Sequence, residues 1–78
     1  MTPKQRARIN TLHELLGDAQ KALGEIVKHA GKVAEAGGTT PEQWERIFAA
    51  QKSLAELCGK LGDALKQAAK DANVQIND

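Results

Sequence analysis

The sequence has few of the residues that stabilise very small proteins. Its 78 residues include one cysteine, one tryptophan, one phenylalanine and no tyrosine. A single cysteine excludes an intrachain disulfide, and no set of Cys and His residues has the spacing of a metal site. Chains this short bury too little surface to be robust alone, and they usually need a disulfide, a metal or a partner chain. We therefore expect a partner chain.

Long apolar runs and catalytic motifs are also missing. No apolar run approaches the roughly 18 residues of a membrane span. The N-terminal MTPKQRAR is not followed by the apolar region of a signal peptide. There is no HExxH, no phosphate-binding glycine loop and no pair of carboxylates placed for a cleft. We expect a soluble, cytoplasmic protein that has no enzymatic activity, cofactor, small-molecule substrate or membrane partner.

Two short segments predict where helices begin. They are TPKQ at residues 2–5 and TPEQ at residues 40–43. In each, Thr is a typical N-cap, Pro is tolerated at the first helical position, and Gln can bond back as a capping box. Gly37 can adopt the left-handed conformation that ends the first helix. The predicted single domain has a helix at about 3–36, a tight turn at 37–40, a helix at about 41–72 and a tail at 73–78.

Both predicted helices carry a stripe with alternating spacings of three and four residues, which is typical of a left-handed bundle. The stripe is Ile9, Leu12, Leu16, Ala19, Leu23, Ile26, Ala30 and Val33 in the first helix, and Trp44, Ile47, Gln51, Leu54, Cys58, Leu61, Leu65, Ala68 and Ala72 in the second. If the chain folds about residues 38 and 39, stripe residues whose numbers sum to 77 face each other. This match predicts an all-α, antiparallel helical hairpin.

Further apolar residues lie beside the stripe, where a single neighbouring helix would leave them wet. They are Leu15, Ala22, Val27, Ala34, Phe48, Ala50, Ala55, Leu57 and Ala64. Exposing so wide a face would forfeit several kcal/mol at about 25 cal/mol per Å². We therefore predict that two hairpins dimerise into a four-helix bundle. Its core and dimer contacts would comprise the large apolar stripe residues together with Phe48 and Leu57.

Two stripe residues, Gln51 and Cys58, do not have purely hydrocarbon side chains. Gln51 would lie opposite Ile26, where a buried polar residue can fix the register and oligomeric state of a bundle. Alternatively, it lies at the edge of the bundle and reaches water. Cys58 faces Ala19 and is expected to be a small apolar filler, since no base is arranged to activate it.

Three glycines of the first helix are spaced one heptad apart. Gly17, Gly24 and Gly31 each follow a stripe residue, and glycine within a helix costs about 0.5–1 kcal/mol relative to alanine. Their regular spacing makes them candidates for a smooth groove that a partner backbone approaches closely. The alternative is that they are solvated positions without a role.

Basic residues concentrate at what would be the open end of the hairpin. Because the helix dipole disfavours cations in a first turn, helix stability does not explain those near the N-terminus. A basic patch can bind phosphates, although a net charge of +1 and the lack of interleaved aromatics argue against it. The alternative is a solvated end with local ion pairs. The candidate nucleic-acid residues are Lys4, Arg6, Arg8, Lys66 and Lys70.

The short length, the two heptad helices, the tight turn and the opening MTPKQ resemble Rop-like proteins. These are plasmid-encoded RNA-binding hairpins that dimerise into four-helix bundles. The size, the MTPKQRAR start and the Ala/Gly-rich helices are also similar to small anti-host proteins of temperate phages. Among these are anti-activators that bind a quorum-sensing transcription factor. The second resemblance implies a regulatory role, in the host cytoplasm if the chain is phage-encoded.

These features lead to three hypotheses of function. The first is a homodimeric, non-enzymatic adaptor or inhibitor that binds a protein partner such as a transcription regulator. The second is a Rop-like binder of RNA or DNA that uses the basic end. The third is a structural assembly subunit.

Overall fold

The computed structural model of the protein describes residues 1–73 and contains two long helices joined by a short connection. Helix α1 spans Pro3–Ala36 and helix α2 spans Pro41–Asp71. The two helices pack against each other, and the four-residue connection makes them antiparallel. No strand is present between residues 1 and 73, so the prediction of an all-α helical hairpin is confirmed.

Both helices begin with the predicted capping box. The hydroxyl oxygen of Thr2 accepts from the backbone N–H of Gln5 at 3.1 Å, and the N–H of Thr2 donates to Oε1 of Gln5 at 2.9 Å. The corresponding distances between Thr40 and Gln43 are 3.2 and 2.9 Å. Each box provides partners for N–H groups that the helix itself leaves unpaired. The same four-residue device therefore fixes where both helices start.

The connection reverses the chain because two consecutive glycines adopt positive φ. Gly37 has φ +73° and Gly38 has φ +75°, which side chains of L-residues rarely tolerate. The N–H of Gly37 still donates to the carbonyl of Val33 at 3.3 Å. With ψ −179°, Gly37 has the positive φ expected at the helix end, but its ψ lies outside the left-handed helical region.

Helix α2 ends at Asp71, one residue earlier than the sequence predicts. Asn73 has φ +58°, and asparagine tolerates this left-handed conformation better than most residues do. Its N–H donates to the carbonyl of Lys70 at 3.1 Å, while that of Ala72 donates to Ala68 at the same distance. The remainder of the predicted tail, 74–78, lies outside the described residues.

The hairpin is long and thin. It measures 54 × 19 × 16 Å, and its radius of gyration is 16.7 Å. A compact domain of this length would have a radius of gyration of about 11–12 Å. The cross-section is that of two helices side by side, so every residue lies near a surface.

Burial follows the heptad stripe, but it is shallow. Every stripe residue of both helices is buried or half-buried. In α1 the only other residue that is not exposed is Gln5, and in α2 the others are Gly62, Ala64 and Ala69. The buried residues are mostly small: Ala19, Ala30, Leu65, Ala68, Ala69 and Ala72. One hairpin therefore makes a narrow apolar seam along the line where the helices meet, without an enclosed core.

We predict that Thr40→Ala will destabilise the protein by about 1 kcal/mol, because it removes the side-chain acceptor of a capping box. For a domain of this size the melting temperature should fall by about 4–8 °C. The control is Thr11→Ala, which lies exposed in the interior of α1 and should leave the melting temperature unchanged or raised. Equal melting temperatures for Thr40→Ala and wild type would contradict this role of the cap.

Candidate functional site

The exposed apolar residues fall on two flanks, one on each side of the seam. In each heptad, the residue directly before the first of the two stripe residues lies on one side of the seam. The residue directly after the second stripe residue lies on the opposite side. In an antiparallel pair, like positions of the two helices share a side. We call one side the leucine flank, comprising Leu15, Ala22, Ala50, Leu57 and Ala64. The other is the glycine flank, comprising Gly17, Gly24, Val27, Gly31, Ala34, Phe48, Ala55, Gly59 and Gly62.

The central part of the leucine flank is a band of aliphatic side chains, and Arg8 and His29 occupy the same helix position nearer its two ends. Leu15 is 47% exposed and Leu57 is 44% exposed. Ala64 is half-buried, while Ala22 and Ala50 are exposed. Bulky and small residues alternate along this band, which leaves a shallow relief that a second apolar surface can fit.

The glycine flank presents an aromatic residue next to a surface without side chains. Phe48 is 57% exposed and Val27 is 53% exposed. The ring of Phe48 stacks on that of Trp44, with centroids 5.5 Å apart and an interplanar angle of 19°. Trp44 belongs to the half-buried seam, so the stack connects the exposed ring of Phe48 to the seam. An exposed aromatic ring is a typical anchor of protein interfaces.

The predicted glycine candidates lie open along this flank. A Cβ atom built on Gly17, Gly24 or Gly31 meets nothing within 4 Å, and the same holds for Gly59 and Gly62. Within residues 1–73, neither a side chain nor the other helix therefore approaches these positions. The structure brings all five helical glycines to the side that also carries Phe48 and Val27.

The basic candidates are all exposed and gather at the open end of the hairpin. Residues 1–8 and 66–73 contain Lys4, Arg6, Arg8, Lys66 and Lys70 against one acidic side chain, Asp71, which gives five minus one, or +4. Residues 32–46, at the turn, contain two basic and three acidic side chains, or −1. The hairpin is therefore electrically polarised along its length.

Sequence reasoning missed the one acidic side chain among these residues, Asp71. Oδ1 of Asp71 accepts from Nε2 of Gln67 at 2.9 Å. A shallow recess of about 320 Å³ also lies at this end, lined by Met1, Pro3, Arg6, Ala7 and Asn10. No residue of α2 contributes to it, so the cations of the two helices do not converge on a common pocket.

The remaining reactive side chains are dispersed. Cys58 is half-buried in the seam, and His13 and His29 are exposed on different flanks. Within residues 1–73, no three His, Cys, Asp or Glu side chains are grouped so that they could hold a metal ion. In the same part of the chain, neither helix is long and apolar enough to cross a membrane.

Comparisons with known proteins provide no relative for this chain. No protein-family model, curated protein or solved structure matches it.

Sequence reasoning also missed the stack between Trp44 and Phe48. An aromatic pair separated by four residues on a helix was the available signal, since such residues are neighbours on the helix surface. Ala69 was missed as well, and it is the most deeply buried residue, at 2% exposed. Its position beside the stripe gave no indication, because the depth of burial depends on how closely α1 approaches there.

We predict that Gly24→Ala will raise the melting temperature. The added methyl group meets no atom, and alanine is the better helix former by up to about 1 kcal/mol. The matched control is Gly37→Ala, which also meets no atom but has φ +73° and should lower the melting temperature. If Gly24→Ala were destabilising, a second molecule would have to pack against Gly24 in the assembled protein.

Proposed function

We propose that this protein is a homodimeric, non-enzymatic adaptor or inhibitor. It acts in the cytoplasm and binds a protein partner, such as a transcription regulator, through its glycine flank. The observation that carries the proposal is the exposed ring of Phe48, stacked on Trp44, on the same flank as five glycines at which an added Cβ atom would meet nothing within 4 Å.

The exposed area supports dimerisation. The chain exposes 6117 Å², whereas a compact protein of 8.4 kDa exposes about 4,600 Å². The excess is on the order of 1,000 Å² or more, which is the area that each partner contributes to an obligate dimer interface. A second hairpin would supply the second layer that the narrow seam lacks.

The glycine flank suits a helix or an extended segment of a partner protein. Because the glycines have no side chains, the backbone of a partner can approach this flank closely. The apolar residues of the partner can then be buried against Val27 and Phe48. The polar side chains around this flank, including Arg6, His13 and Lys52, resemble the polar rim that surrounds an interface core.

The test is a pull-down from host lysate with two matched variants, Phe48→Ala and Glu56→Ala. Glu56 is exposed on the outer face of α2, away from both flanks. Truncating an aromatic anchor costs about 2 kcal/mol or more, or roughly 30-fold in affinity. We expect a protein that wild type and Glu56→Ala retain after nuclease treatment and that Phe48→Ala loses. Equal retention by all three would contradict the role of the glycine flank.

The alternative function is Rop-like binding of RNA or DNA, and the net charge of +4 at the open end supports it. Phosphate binding weakens steeply with salt because counterions are released. Binding that survives about 1 M salt, where the screening length is about 3 Å, would therefore favour the protein partner. A structural assembly subunit, the third hypothesis, has no specific observation in its favour.

If the alternative holds, Arg6→Glu combined with Arg8→Glu should abolish nucleic-acid binding in mobility-shift assays while helicity is retained. The control is Lys21→Glu combined with Lys28→Glu, which changes the net charge equally in the middle of α1 and should leave most of the binding intact. If wild type shifts neither RNA nor DNA at low salt, binding of nucleic acid is excluded as the function.

A further inference from the structure

We propose that the second copy of the chain docks on the leucine flank, with the two hairpins antiparallel, so that the turn of each lies beside the open end of the other. This inference rests on the proposed dimer and specifies its face and direction. It leaves the glycine flanks uncovered for a partner protein.

The leucine flank is chosen because its apolar residues are centred along the hairpin. Since α1 ends at Ala36 and α2 begins at Pro41, residues whose numbers sum to 77 lie at the same height. Leu57 is therefore level with residue 20 (77 − 57), and the midpoint of residues 3–36 lies between 19 and 20. Leu15 and Ala22 lie on either side of that height.

The large apolar side chains of the glycine flank lie toward the turn. Phe48 is level with residue 29 (77 − 48) and lies beside Val27, whereas Arg6, His13 and Gln20 occupy the part nearer the open end. An antiparallel two-fold contact superposes a patch on itself only if the patch is centred on the axis. The leucine flank meets that condition, and the glycine flank does not.

With this symmetry each helix packs on its own copy. Leu57 lies on the axis and meets Leu57 of the second copy. Leu15 meets Ala22, and Ala50 meets Ala64. The pairing in α1 puts the two-fold axis midway between residues 15 and 22, and the pairing in α2 puts it at residue 57, which is level with residue 20. At a rise of 1.5 Å per residue these two positions of the axis differ by only about 2 Å, so one axis serves both helices.

Charge decides the direction. Antiparallel docking places each open end, at +4, beside a turn end, at −1. Parallel docking would bring the two +4 ends together. Packed helices lie about 8–10 Å apart, which is close to the screening length of about 8 Å at physiological salt. The repulsion is therefore only partly screened, and the antiparallel arrangement is favoured.

The direction has consequences for both functional hypotheses. In the antiparallel dimer the two basic ends are separated by nearly the 54 Å length of the hairpin, so they cannot merge into one phosphate-binding surface. The two glycine flanks face outward on opposite sides of the bundle. The dimer then offers two independent partner sites, and we expect one partner molecule per chain.

The direction is tested by measuring the distance between spin labels on Ala36→Cys, in a chain that also carries Cys58→Ala. Ala36 is exposed at the end of α1. We expect about 50 Å between the labels of a dimer, close to the length of the hairpin. A distance near 20 Å, as for two adjacent turns, would overturn the antiparallel docking. If the labelled chain shows no dipolar coupling and sediments as a monomer, that result would instead overturn the proposed dimer.

The face is tested by oxidative cross-linking of Leu57→Cys and of Gly24→Cys, each combined with Cys58→Ala. We expect the first variant to form a covalent dimer and the second to remain uncrosslinked, with both helical by circular dichroism. Cross-linking through Gly24→Cys and not through Leu57→Cys would place the second copy on the glycine flank and overturn the proposal. Both variants are assayed as purified protein with no partner present, so the result does not depend on partner binding.

Discussion

The seam between the two helices is the interaction on which the rest of the structure depends. Spacings of three and four residues keep apolar side chains on one line of each helix, and the two lines meet along nearly the full length of the hairpin. The turn contributes to this match because its two positive-φ glycines reverse the chain between the two helices. Both flanks and the basic end are positioned by the seam.

The seam is also narrow, and it buries little apolar surface for a chain of this length. Alanines make up most of its buried residues, because two cylinders in contact exclude water only along the line where they touch. The bulkier stripe side chains, such as Leu23 and Ile26, stay half-buried. Burying them further requires another surface, and this physical need connects the fold of one chain to the proposed dimer.

Several elements were predictable because they depend on neighbouring residues alone. The capping boxes need only Thr, Pro and Gln in fixed order, and the stripe needs only a repeat of period 3.5. Exposure was harder to predict, because it depends on how closely the other helix approaches. For this reason Ala69 is buried at 2% although it lies beside the stripe. Asn73 ends α2 through a backbone conformation that the apolar pattern does not report.

The sequence by itself determined the two helices, their starts, the seam residues and the polarised charge, since each follows from local geometry or from counting. Only the tertiary structure decided that, within residues 1–73, nothing approaches the Cβ positions of the helical glycines and that Phe48 stays 57% exposed. It likewise set how much of Leu15 and Leu57 remains in water. The physical reason is that the exposure of a side chain on one helix depends on where the other helix lies, and that position exists only after the chain has folded back on itself.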